Sequence, residues 1–269
     1  MAEKNIAFEE FVGRVRQNQK YAQLTLSLVE QIAREELNNQ KDWHSALKTT
    51  RTRLHRLTGA FLPPKINYAH LIDNLGLITK NNSDELQAFS KQAMRLHAST
   101  NERLPFLEHF FYICLESIGG VGSILDLACG LNPLAIPWMP LKENYSYLAC
   151  DVVDPMVSFL NSFFSQTNQV GTAFVCNLFQ EIPTQQVEVA YLLKLLPILD
   201  QIDPSISTRL LDELNADHVL ISYPSKSLGG RSKGMKQTYS QHLQRITEGR
   251  NFHIQEFTFP NEIAYLLSR

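Results

Sequence analysis

The chain has 269 residues, with 25 Lys+Arg against 27 Asp+Glu and a formal net charge of −2. Its 44% hydrophobic and 19% charged residues exclude a disordered or collagen-like chain, and its length suits one large domain or two moderate ones. Taken as a total, the charge speaks against a nucleic-acid partner, and no run reaches the roughly 18 apolar residues that span a bilayer. Met1 to Glu10 is charged and lacks an apolar signal core, so a cytoplasmic location is expected. Cys114, Cys129, Cys150 and Cys176 lie 15, 21 and 26 residues apart. Without a C-x-x-C pair they predict reduced thiols and no metal site.

Residues 1–120 read as helical. Leu24, Leu28, Ile32 and Leu37 recur at helical spacing, as do Leu104, Leu107, Phe111 and Leu115. A cap at Ser83 or Asp84 starts a helix whose pattern continues through Arg95, Leu96 and His97. Pro63-Pro64 breaks this half after a basic helix. From residue 121 strand-length apolar runs take over: Ser123–Ala128, Tyr145–Cys150, Ala173–Cys176, Val187–Leu193 and His218–Tyr223. Helical or loop segments separate them, which predicts βαβ units and a parallel sheet. Phe252–Phe259 and Glu262–Leu267 flank Pro260-Asn261 and predict a terminal hairpin.

The joint between the first two strands carries the local chemistry. Ile124–Gly130 is a hydrophobic strand ending in glycine, and 21 residues on Tyr147–Asp151 is a strand ending in an acid. Nucleotide-binding α/β folds use this arrangement: the glycine admits close approach, and the acid accepts from ribose hydroxyls. Asp154-Pro155 follows as N-cap and first helical residue. With one glycine and Asn132-Pro133 close behind, a pyrophosphate cradle is disfavoured. An adenosine ligand without pyrophosphate, such as S-adenosylmethionine, needs less. The spacing alone leaves open a methyltransferase, another nucleotide enzyme, or an ordinary strand turn capped by Asp126 and Asp151.

The total charge hides two basic segments. Between Lys41 and Lys65 six basic residues face Asp42 alone, and Lys226–Lys236 holds four basic residues and no acid. The second also contains Gly229-Gly230 and Gly234, a composition suited to phosphate contact from a loop after a strand. The two together point to a large polyanionic substrate.

Five stretches carry a family resemblance: Arg51-Thr52-Arg53-Leu54-His55, Leu96–Arg103, Leu125–Ala135, Lys194-Leu195-Leu196-Pro197 and Ser222–Met235. In family order, from about residue 20 to the C-terminus, they resemble the Arm/Rmt aminoglycoside-resistance 16S rRNA (guanine-N7) methyltransferases. The resemblance implies a Rossmann-like class I S-adenosylmethionine-dependent methyltransferase domain at 101–269. It implies a helical N-terminal domain at 1–100 that docks on the assembled 30S subunit. The expected product is S-adenosylhomocysteine, and the expected state is a monomer. Arg103 matches the arginine that pairs with the donor's carboxylate; a surface bridge to Glu102 or a nearby acid is the plainer alternative. Asp126, Gly130 and Asp151 match donor-binding positions. Asn177, with Leu178 beside it, falls where the family carries an adenine-binding aspartate, so a weaker contact is expected there. Lys194, Arg231, Lys233 and Met235 match positions that contact rRNA or place the target base. Arg51, Arg53 and His55 match the basic docking surface; for His55 a partly buried helix histidine is the plainer reading. Guanine N7 carries a lone pair and no proton, so no general base is expected. A small-molecule methyltransferase of the same fold and a ribosome-binding pseudoenzyme are the competing readings.

Overall fold

The computed structural model describes residues 2–40, 42–58, 66–79, 82–225 and 235–269, with side chains from residue 7 onward. Pro63-Pro64 and the segment carrying Lys226, Arg231 and Lys233 lie outside the described residues.

The chain opens with helices α1 (Ala2–Arg16), α2 (Gln19–Ala22), α3 (Leu26–Asn39), α4 (Trp43–Thr58), α5 (Tyr68–Leu75), α6 (Ser83–Met94), α7 (Ala98–Arg103) and α8 (Leu107–Leu115). There follow β1 (Val121–Leu127), β2 (Leu141–Asp151), α9 (Asp154–Thr167), β3 (Thr172–Val175), β4 (Val187–Leu193), α10 (Leu196–Leu199) and α11 (Ile206–Glu213). The chain closes with β5 (Ala216–Pro224), α12 (Met235–Thr247), β6 (His253–Thr258) and β7 (Glu262–Ser268). Each expected strand forms, within a few residues of its predicted ends.

The sheet order is β3-β2-β1-β4-β5-β7-β6. Neighbours are parallel up to β5, and β7 runs antiparallel to both β5 and β6. The expected hairpin is therefore present, inserted beside β5. Chain order reverses between β1 and β4, which makes their carboxyl ends the natural ligand crevice. β1, β4 and β5 are apolar for most of their length because helices cover both faces.

Three local expectations need correction. Leu24 is not helical: it forms an isolated bridge to Val153, and the Thr25 N–H donates to the Val152 carbonyl at 2.8 Å. The α6 cap is Asn82, whose side chain accepts from Asp84 N and Glu85 N. That helix stops at Met94 because the buried Thr100 hydroxyl donates to the Met94 and His97 carbonyls at 2.7 and 3.1 Å. Asp154 does not cap α9. Val153 occupies the cap position, and the Asp151 carboxylate takes the Val152 and Val153 amides instead.

The helical half and the sheet share one hydrophobic core. Phe11, Leu28, Ile32, Leu54 and Phe110 belong to the same buried cluster as Tyr147, Phe159 and Val189. A second cluster fills the opposite side of the sheet, between β4, β5, α11 and α12. No helix among the described residues is long and apolar enough to cross a membrane.

Candidate functional site

A cavity of about 970 Å³, its open mouth included, lies at the carboxyl ends of β1, β2 and β4. That is the upper part of the size range of small-molecule sites, roughly 300–1,000 Å³. Strand ends form its floor. Leu28 of α3, Leu57 and Thr58 of α4, and His97, Ser99 and Arg103 form the wall opposite.

Both strands at the switch point end in a left-handed turn. Ala128 (φ 48°) and Gly130 (φ 54°) follow β1, and Lys194 (φ 57°) follows β4. Left-handed non-glycine residues cost of order 1 kcal/mol or more and persist where the surroundings over-determine them. Gly130 has two reasons to lack a side chain. Its φ is positive, and a Cβ would lie 2.7 Å from Cε1 of His97. The close approach predicted at this glycine is thus made by a protein side chain.

Asp151 closes the first turn. Its Oδ2 accepts from Gly130 N at 3.0 Å, and its Oδ1 accepts from Val152 N at 2.7 Å and Val153 N at 3.2 Å. Burial raises its pKa, and the three amides oppose that rise. A carboxylate has about four acceptor sites, so one remains for a hydroxyl in the cavity.

Arg103 is fully buried and pairs through Nε and Nη2 with both oxygens of Glu262, itself fully buried on β7. Glu102 is therefore not its partner; it bonds Lys194. Arg103 Nη1 donates to Asn132 Oδ1 at 3.0 Å, and Asn132 Nδ2 donates to Asp126 Oδ2 at 2.9 Å. The Tyr147 hydroxyl donates to the same Asp126 oxygen at 2.6 Å. The guanidinium also lies over the Phe110 ring, 4.5 Å from its centroid. Three of five guanidinium N–H groups are used, which leaves two in the cavity wall. Burial pushes the Asp126 carboxyl up to about 6.

Lys194 is buried in the same wall. Its Nζ donates to Glu102 Oε2 at 2.6 Å and lies 3.6 Å from Glu262 Oε2. It points into the cavity mouth, not onto an outer surface. His97 stays neutral: burial, then the charges of Lys194 and Arg103, push its pKa down to about 4. Asn177 spends its amide on the Gln31 Oε1 of α3 at 2.9 Å, and its Oδ1 accepts from Phe179 N at 3.2 Å. Leu178 is buried beside it in the lining.

The other predicted residues lie elsewhere. Arg51 and His55 face an open groove with Tyr21, His44 and Lys48. Arg51 donates to the Arg14 carbonyl, and Nδ1 of exposed His55 is 3.3 Å from Lys20 Nζ. His55 is therefore not a partly buried histidine. Arg53 turns the other way and bridges Glu35 and Glu36 of α3 at 2.7 and 2.8 Å. Its charge is spent on holding α3 to α4. Met235 opens α12, half-buried against the second core cluster. Arg231 and Lys233 lie outside the described residues.

The cavity lining therefore combines carboxylate acceptors, guanidinium donors and the apolar side chains of Leu178 and Phe179. Those groups suit a nucleoside carrying an amino-acid tail. The family model described as ribosomal RNA methyltransferase (FmrO) matches residues 17–266. The chain belongs to this ribosomal RNA methyltransferase family.

Its curated relatives bear the name 16S rRNA (guanine(1405)-N(7))-methyltransferase. The one from Micromonospora echinospora is 33% identical over 258 residues, covering 95% of this chain and 94% of the relative. The one from Serratia marcescens is 29% identical over 254 residues, covering 94% of each. Among solved structures, the 16S rRNA methyltransferase RmtF in complex with S-adenosyl-L-homocysteine superposes with a TM-score of 0.84 at 28% identity. It covers 97% of this chain and 98% of RmtF. RmtB, at 24% identity and TM-score 0.81, shares the fold over 97% and 98% of the two chains.

Glu262, Asn132 and His97 were not assigned roles from the sequence. Asn132 and His97 sit inside the stretches that carry the family resemblance. Glu262 lies 159 residues from the arginine it holds, and no local pattern marks it.

Proposed function

We propose that this protein transfers a methyl group from S-adenosylmethionine to N7 of one guanine in 16S rRNA. The target lies in the decoding-site helix of the assembled 30S subunit, the enzyme acts as a cytoplasmic monomer, and the modification confers resistance to kanamycin- and gentamicin-type drugs. The observation that carries the reading is that one switch-point cavity is lined by Asp151, clasped to Gly130, and by Arg103, paired with Glu262, in a chain that matches the family over nearly its whole length.

S-adenosylmethionine supplies a methyl group on a cationic sulfur. Arg103 offers its two remaining N–H groups to a carboxylate. Asp151 offers its remaining acceptor site to a ribose hydroxyl. Asn177 retains one lone pair on Oδ1 for an adenine amino group, without the charge that an aspartate would bring. Lys194 at the mouth, with Met235, Arg231 and Lys233, is assigned to the target nucleotide. Arg51 and His55 are assigned to rRNA docking, and Arg53 to the scaffold beneath them. No residue needs to remove a proton, because N7 attacks through its own lone pair. Catalysis then rests on alignment and exclusion of water. The neutral His97 packs against the glycine turn and moves no proton.

The test is mass spectrometry and primer extension of 16S rRNA from a bacterium expressing the chain, beside kanamycin susceptibility. One added methyl at a decoding-site guanine N7, with resistance, is expected. Unmodified rRNA with full expression would overturn the reading.

A further inference from the structure

Two of the four cysteines, Cys129 and Cys176, line the cavity, and a third, Cys150, is buried next to the lining residue Asp151. Cys150 is the penultimate residue of β2, followed by Asp151. Cys176 comes just after β3 and is followed by Asn177. In the parallel ladder Cys150 faces Phe174 and Asp151 faces Val175. Side chains alternate along a strand, so Cys176, two residues past Phe174, leans to the same side as Cys150. Its backbone N–H donates to the Asp151 carbonyl at 3.0 Å. The Cys150 thiol donates to the Cys176 sulfur, and the Cys176 thiol donates to the Glu181 carbonyl at 3.3 Å.

We infer that Cys150 and Cys176 form a peroxide-sensitive thiol pair, whose oxidation to a disulfide shuts the cavity to the methyl donor. The consequence for the donor rests on the reading of this cavity given above. Cys176 acts first. Its thiolate attacks one oxygen of hydrogen peroxide, the O–O bond breaks, and hydroxide leaves to become water. Cys176 is then a sulfenic acid. The Cys150 sulfur displaces the hydroxyl while its thiol proton passes to the leaving oxygen, the S–S bond forms, and a second water leaves. Two thiols lose two electrons and one peroxide gains them.

The environment selects this pair. Cys176 lines the cavity and Cys150 does not, so peroxide reaches Cys176 first; the hydrogen bond between them favours ionisation of Cys176 over Cys150. Burial raises Cys114 and Cys129, and Asp126 and Asp151 push Cys129 up further. The Cys129 thiol donates instead to its own neighbour's carbonyl, Gly130 O, at 3.4 Å. Thiolate character and access govern oxidation, and only Cys176 combines both.

Forming the disulfide brings the two sulfurs from hydrogen-bond distance to about 2.05 Å. That draws the segment after β3 toward β2 and breaks the Cys176–Glu181 bond. The residues dragged along are Asp151 and Asn177, the ones assigned to ribose and adenine.

The full-length protein is treated with hydrogen peroxide, trapped with N-ethylmaleimide and mapped by peptide mass spectrometry. Binding of S-adenosylhomocysteine is measured by calorimetry before and after. A Cys150–Cys176 link is expected, with at least tenfold loss of affinity that dithiothreitol restores. Saturating S-adenosylhomocysteine slows the link. In Cys150→Ala the link is absent, and a dimedone-reactive sulfenic acid accumulates at Cys176. Absence of the link in the wild-type chain, a different pairing, or a link that leaves affinity unchanged overturns the inference. If the untreated protein fails to bind S-adenosylhomocysteine, the reading of the cavity fails instead, whatever the peptide map shows.

Discussion

Glu262 holds two cations on one carboxylate. Burial opposes its ionisation, yet Arg103 and Lys194 outweigh burial and keep its carboxyl below the usual range. A depressed carboxyl stabilises the fold at neutral pH, and that contribution is lost as the pH falls below about 4. Glu262→Gln removes the charge and leaves Arg103 buried with no anion. We expect a loss on the order of 3 kcal/mol at pH 7, by urea unfolding. The gap to wild type should close below about pH 4. A gap that persists at acid pH would show that shape, not charge, is lost. Asp126 has the opposite sign. Burial lifts its carboxyl to about 6, so it favours the folded state at low pH and that contribution fades as the pH rises through 6. Asp126→Asn keeps the Tyr147 and Asn132 contacts available and should remove this slope between about pH 4 and 6. An unchanged slope would sink the assignment. At this scale the sequence exposes partners that are near one another. The Gly130–Asp151 pair is written in two strand ends 21 residues apart. The Arg103–Glu262 pair is not written locally, so within the protein the sequence points to the adjacent Glu102 instead.

Helix α4 divides its basic residues between two faces. His44, Lys48, Arg51 and His55 line the open groove, whereas Arg53 points inward to Glu35 and Glu36. Arg53→Ala is expected to lower the melting temperature by several degrees, because Glu36 is buried and loses its cation. Methylation per folded molecule should hardly change. Lys48→Glu should do the reverse: an unchanged melting temperature, unchanged donor affinity, and at least tenfold slower methylation of 30S subunits. Its salt slope should be smaller by about one phosphate contact. Equal effects on stability and rate in both variants would refute this division. Composition alone shows the basic run from 41 to 65 but not which way each residue faces. The strands, by contrast, are legible to within a few residues, since a buried parallel strand is a bare apolar run between turns. Helix ends are less so. Asn82 wins over Ser83 and Asp84 by a side-chain geometry that all three residue types can adopt. The early end of α6 depends on Thr100, six residues past Met94.

The donor cavity needs both halves of the chain. Its floor is the sheet, its far wall is α3, α4 and residues 97–103, and one hydrophobic cluster runs through both. The Gln31–Asn177 bond, the Leu24–Val153 bridge and the Asp154 N–H donated to the Gln23 carbonyl tie the halves at the cavity edge. Shared packing of this kind predicts that neither half unfolds alone. The two tryptophans lie in different halves of the chain: Trp43 on α4, edge-on to Phe11, and Trp138 before β2, under Lys91 of α6. In Trp43→Phe and Trp138→Phe the remaining tryptophan should lose its native fluorescence at the same temperature, once any effect of each substitution on overall stability is read from circular dichroism. S-adenosylhomocysteine at about 100 times its dissociation constant should stabilise by about 2.7 kcal/mol. Because residues of both halves wall the cavity, a ligand bound there should shift the two fluorescence transitions by the same amount. Two separated midpoints, or a ligand shift confined to Trp138, would mean that the helical half is an appendage and that the sheet alone builds the donor site. A common shift would mean that the surface assigned to rRNA docking and the methyl-donor site are parts of one cooperative unit. An rRNA contact on α4 could then alter donor affinity with no hinge between them.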